Sequence, residues 1–166
     1  MAPRATSPVV RVSSSQKVLR VPRKRIAELV AQVIAAEAGE IAEVDVAVVG
    51  REEMTSLNRR FLGRRRPTDV LSFDLSDAGP GPRVAQIIVC SDVARAEAGA
   101  RGLAPQHELL LYIVHGLLHL LGYDDQAAPA ADRMHQREEA LLVEFLDRSR
   151  GGRPRRPGAE SHKAND

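Results

Sequence analysis

His115 and His119 stand four residues apart in an apolar run, and Gly122, Asp124 and Asp125 follow at once. On an α-helix, positions i and i+4 share one face, so both imidazoles can meet one metal ion. Glycine accepts the left-handed backbone that turns a chain sharply, so Gly122 can end the helix and bring Asp124 or Asp125 back toward the same ion. Two ring nitrogens and one carboxylate oxygen make three protein ligands, and an open fourth position is the catalytic form of a zinc site. A bare pair of histidines at this spacing arises often by chance. Here the pair lies among Leu, Ile and Val, where unpartnered imidazoles are costly to bury, and metal binding is the better account. Gly116 occupies the position at which zinc peptidases of the HExxH type carry their catalytic Glu, which argues against proteolysis.

The elements that must hold this site follow from periodicity. Pro105 opens a long apolar helix that runs to about residue 121. Earlier helices are expected from Pro22 to about residue 38, with Gly39 placed to end it, and over residues 52–62 and 92–100. A final amphipathic helix is expected over about residues 130–147. Residues 44–49, 69–75 and 87–90 read as strands, with a loop at Gly79-Pro80-Gly81-Pro82. The expected fold class is therefore α+β: a single domain with a small mixed sheet packed with helices and the metal site on a long central helix. Residues 17–150 are expected to form the domain. Residues 1–16 read as a disordered arm and residues 151–166 as a disordered basic tail.

Composition narrows the function classes. Hydrophobic residues make up 43% of the 166, enough for a globular core. Aromatic residues make up only 3%, so any nucleic-acid binding must lean on charge more than on stacking. The single cysteine, Cys90, excludes an internal disulfide, and a cytoplasmic location is expected. No long uncharged apolar run or secretory signal is visible, so no membrane partner is expected. The net charge of +2 hides three basic clusters. The first holds Arg4, Arg11, Lys17, Arg20, Arg23, Lys24 and Arg25 without one acidic residue; the second spans residues 59–66; the third runs from Arg148 to Arg156. Clusters of this kind favour a polyanion such as RNA.

The stretch His115-Gly116-Leu117-Leu118-His119-Leu120-Leu121-Gly122-Tyr123-Asp124-Asp125 resembles the H-G-x-L-H-L-x-G-Y-D-H signature of the YbeY family, bacterial endoribonucleases of ribosomal RNA maturation. Leu57-Asn58, then Pro67-Thr68-Asp69-Val70-Leu71-Ser72-Phe73, resemble a second family segment, and Glu108, Met134 and Glu138 match further positions. The resemblance implies an α+β domain with a transition metal, zinc foremost, that cleaves single-stranded RNA, with ribosomal RNA and the small ribosomal subunit as partners. By position, His115 and His119 become metal ligands, and Asp125 stands where the family has a third His. The family's cleft Arg falls at Leu62 and its loop acid at Arg65. Arg60 and Arg64, with Arg59, Arg65 and Arg66 beside them, are then the candidate cations for the developing charge. Asp124 is a candidate acid/base group and Glu108 a residue that orients a neighbour. The loss of Arg at Leu62 keeps a second expectation open, a ribosome- or RNA-binding protein of the same fold that cleaves weakly or not at all.

Overall fold

Val44, Val46 and Val48 are buried in alternation along β2 (Ile41–Val49), the signature of a strand with one face on the core. The computed structural model describes residues 6–63 and 68–151. Around β2 the described elements are β1 (Val9–Ser14), α1 (Arg23–Ala36), α2 (Arg51–Leu62), β3 (Val70–Asp74), β4 (Arg83–Cys90), α3 (Ser91–Arg101), α4 (Pro105–Leu120) and α5 (Ala128–Gly151). The strands form one mixed sheet in the order β1-β2-β4-β3. β1 and β4 run parallel to β2, and β3 runs antiparallel to β4, with Val70 opposite Val89 and Phe73 opposite Gln86. The α+β class expected from periodicity is the architecture observed.

Helix α4 runs through the centre. Leu109, Leu110, Ile113, Val114, Leu117 and Leu118 are all buried, and the helix packs on α1, α3, α5, β3 and β4. α1 contributes Ile26, Leu29, Val30, Val33 and Ile34 to the same core, and α5 contributes Met134, Leu141, Leu142 and Phe145. A smaller cluster of Val49, Met54, Leu71, Ile88 and Cys90 lies on the other side, where α2 supplies Met54. Cys90 is fully buried, and that burial pushes its thiol pKa up, as suits a structural residue.

Two expectations are corrected. Residues 9–14, assigned from sequence to a disordered arm, form edge strand β1, paired from Val9–Glu43 to Ser14–Val48. Their signal is short and half-polar, and the strand is held by backbone bonds to β2 that no local pattern announces. Gly39 does not supply the left-handed residue after α1; Ala38 does, at φ 50°. Gly39 is instead a point of close approach, because a Cβ there would lie 2.7 Å from Leu121 Cδ2 at the end of α4. Of the expected tail, Gly151 is the last residue of α5, and residues 152–166 lie outside the described residues.

Candidate metal centre

The histidine pair is placed by α4, and α4 is pinned at that end by the sheet. Ser72 Oγ donates to the Gly116 carbonyl at 3.1 Å, and Arg83 donates to the Leu120 carbonyl at 2.9 Å. The helix then stops as Gly122 takes φ +99°, with Tyr123 N–H bonded back to the Leu118 carbonyl at 3.0 Å. Tyr123 donates its hydroxyl to Glu37 at 2.8 Å, and Arg137 of α5 donates to the other oxygen of the same carboxylate. Glu37 thus ties the turn to α1 and α5, and the chain beyond it brings Asp125 back over the histidines.

The three donors meet. His115 Nε2 and His119 Nε2 are 3.0 Å apart, and Asp125 Oδ2 lies 3.3 Å from His119 Nε2 and 3.7 Å from His115 Nε2. Two ligands bound at about 2.0–2.1 Å to a tetrahedral ion sit about 3.3–3.4 Å from each other, so these separations bracket what zinc requires. Two imidazoles and a carboxylate are also a donor set that zinc accepts. The residues fit the metal that the sequence pattern implies. All three side chains keep 29–44% of their surface open, so the group lies at the surface end of the helix with room for a further ligand.

One partner matched a family position in the sequence but was given no role there. Glu138 of α5, only 5% exposed, places Oε1 in hydrogen-bond contact with His115 Nδ1. A carboxylate there holds the proton on Nδ1 and leaves the Nε2 lone pair facing His119 and Asp125. Burial opposes protonation of His115, yet the bond and charge of Glu138, with the charges of Asp69 and Asp125, outweigh it and raise the pKa above the usual imidazole value. The same pull makes the ring a stronger metal donor. The clue in the sequence was a Glu on the apolar stripe of α5, in line with Met134, Leu141, Leu142 and Phe145. Glu138→Gln keeps the shape but removes the charge. Its zinc dissociation constant, read by competition with a chromophoric chelator, is expected to weaken about 10–100-fold; wild-type affinity would refute the role.

Beside His115 opens a cleft of about 480 Å3, lined by Asn58 of α2, Asp69, and faces of α3, α4 and α5. Glu108 is buried there and pairs with Arg101 at 3.4 Å, consistent with the orienting role expected of it. Glu97 also reaches Arg101, at 3.8 Å. Arg101 is the one Arg or Lys among the described residues that line this cleft, and nothing in its sequence context marked it out. His135 faces the second oxygen of Glu138 at 3.7 Å. The other expected site residues stand elsewhere. Asp124 uses Oδ1 to accept the Gln126 N–H at 2.9 Å, a turn contact. Arg60 lies 5.5 Å over the Phe61 ring, exposed at the end of α2. Arg64, Arg65 and Arg66 lie outside the described residues.

Gly116, the residue in place of a peptidase Glu, faces β3 and β4. A Cβ there would meet Ser72 Oγ at 2.7 Å and Val70 Cγ2 at 3.1 Å. A side chain there forces Ser72 and the sheet to shift, and a carboxylate at this position would be directed at the sheet.

Comparison with known proteins covers nearly all of this domain. A family model described as "Endoribonuclease YbeY" matches residues 11–146. A protein of Bacillus licheniformis named "Endoribonuclease YbeY" is 37% identical over 145 residues, spanning 78% of this chain and 92% of its own. One of the same name from Moorella thermoacetica is 42% identical over 116 residues, spanning 64% of this chain and 74% of its own. A solution structure of a Thermotoga maritima protein superposes with a TM-score of 0.61 at 26% identity, covering 92% of this chain and 99% of that one.

Proposed function

The chain belongs to the YbeY family, and on that basis we propose that it is a metal-dependent endoribonuclease specific for single-stranded RNA, acting in small-subunit ribosomal RNA maturation and ribosome quality control. The observation that carries the reading is the convergence of His115, His119 and Asp125, whose donor atoms all lie within 4.8 Å of one another. Zinc is the ion proposed. An ion bound there would supply Lewis-acid chemistry suited to hydrolysis of a phosphodiester.

The chain's own residues do the rest. His115, His119 and Asp125 would hold the ion, and Glu138 keeps the Nδ1 proton of His115 in place so that Nε2 stays a donor. Asp125 in place of a third histidine brings a negative charge to the ligand set, which supports a firmly held but milder Lewis acid. The basic end of α2 and the loop after it, with Arg60 and Arg64, would receive the phosphate backbone beside the cleft. Arg101, held by the buried Glu108, is a further cation at hand inside it. Asp124 serves the chemistry through the turn that delivers Asp125. A reducing cytoplasm suits the buried thiol of Cys90, and among the described residues no helix is long and apolar enough to cross a membrane.

Incubation of purified protein with unstructured and with hairpin RNA, with zinc supplied and with chelator, tests the reading. Cleavage of the unstructured RNA that the chelator abolishes is the expected outcome. Salt-dependent binding without cleavage, whichever of zinc, manganese or nickel is offered, would leave an RNA-binding protein of this fold. Leu62, 54% exposed where the family carries an arginine, is the observation that favours this second reading.

A further inference from the structure

The cleft beside the metal centre is a poor place to hold a polyanion. Asp69, Glu97, Glu108 and Glu138 line it against Arg101. Affinity for RNA must come from positive surface outside it, and one such surface is concave. A groove of about 330 Å3 at the start of α1 is lined by Arg20, Arg23, Lys24 and Arg25, with Pro22 and Gln106 between them. Its charge is left almost unanswered. Among the described residues Arg20, Arg23 and Arg25 form no ion pair, and Lys24 has only a long, exposed one to Glu28 at 4.0 Å. The first turn of α1 carries no acidic residue, so these cations also sit at the end of the helix where its dipole opposes them. Folding does not explain all four. Arg23 donates to the Val12 carbonyl at 2.6 Å and Arg25 lies 5.7 Å over Phe145, whereas Arg20 and Lys24 present their charge to solvent.

We propose that this groove is a second RNA-contact surface that grips the phosphate backbone away from the cut, with Arg20 and Lys24 as its principal contacts. The inference rests on the RNA-cleaving reading above and deepens it by separating where RNA is held from where it is cleaved. Gln106, which donates to the Arg20 carbonyl at 3.3 Å, stands near the start of α4, and His115 lies nine positions later on the same helix. At 1.5 Å and 3.6 residues per turn that is about 14 Å along the axis and two and a half turns around it, so the two lie on opposite faces of α4 and only an RNA long enough to pass round the helix can occupy both.

The test uses metal-free, full-length protein and a labelled unstructured RNA of about 30 nucleotides, titrated at several salt concentrations and read by fluorescence anisotropy. Two lost single-strand phosphate contacts, at about 0.7 each, should flatten the logarithmic salt slope by about 1.4 in Arg20→Gln/Lys24→Gln and weaken binding roughly 10–30-fold at about 0.1 M salt. Arg20→Glu/Lys24→Glu should weaken it further. The double Gln variant should melt at the wild-type temperature or higher, because it relieves charge at the positive end of a helix. A wild-type slope and affinity would overturn the proposal. Should the double variant melt lower, Lys24→Gln decides alone, since that side chain is 92% exposed and its loss disturbs no packing; an unchanged slope there overturns the proposal as well. Metal-supported cleavage by wild-type protein is scored separately. If none occurs, the catalytic reading falls while the groove is still judged by the salt slope.

Discussion

Asp125→Ala is expected to strip the protein of its metal and abolish RNA cleavage, while Asp124→Ala retains both in large part. Asp125 Oδ2 is the only described carboxylate oxygen that meets both ligand nitrogens, at 3.3 and 3.7 Å. Without it two imidazoles remain, one protein ligand short of a catalytic zinc site. Affinity should fall by more than the roughly 10–100-fold typical of losing a partner that merely orients a ligand. Asp124 spends Oδ1 on the Gln126 N–H, so its removal loosens the turn and leaves the donor set complete. Asp125→His replaces an anionic ligand with a neutral one; the metal should stay bound and become the stronger Lewis acid, and cleavage should rise. Metal content after dialysis against a weak chelator, measured beside cleavage of unstructured RNA, checks all three. Equal metal retention in Asp125→Ala and Asp124→Ala would show that the third ligand had been misassigned.

The second large effect is on the fold. Gly116→Val should lower the melting temperature by about 10 °C or more. The added Cβ would sit 2.7 Å from Ser72 Oγ, 3.1 Å from Val70 Cγ2 and 3.3 Å from Ile87 Cγ2, all in the packed seam between α4 and the sheet. To admit it, α4 must lift from β3 and β4 and give up the Ser72–Gly116 hydrogen bond. Overpacking by a methylene or two costs about 1–3 kcal/mol, and valine brings three carbons with a stiff branch point. At this chain length each kcal/mol moves the melting temperature by about 3 °C. Gly116→Ala should cost less, because alanine returns about 1 kcal/mol of helix propensity. Thermal unfolding of metal-free protein isolates the effect from ligand loss. A valine variant that melts with the wild type would mean that the helix does not approach the sheet as closely as described.

The features legible in the sequence are local. The spacing of His115 and His119 places both rings on one face of any α-helix, and Gly122 takes its left-handed turn because glycine lacks a Cβ. The apolar period over residues 105–121 and the alternation over residues 44–49 likewise act within a turn or two of chain, so the elements and the α+β class were legible. Three other features depend on contacts between distant segments. Spacing alone leaves Asp124 and Asp125 open and the family resemblance points to Asp125, but the approach of that side chain to the histidines depends on the anchoring of the turn by Tyr123, Glu37 and Arg137, contacts that span up to 100 residues of sequence. Glu138 lies 23 residues from His115, and nothing local ties the two until α5 packs on α4. Residues 9–14 become a strand because β2 offers backbone partners beside them. Short-range sterics and hydrophobic periodicity are written in neighbouring residues, whereas a ligand's orientation, a shared carboxylate or an edge strand depends on segments that meet only when the chain has folded back on itself.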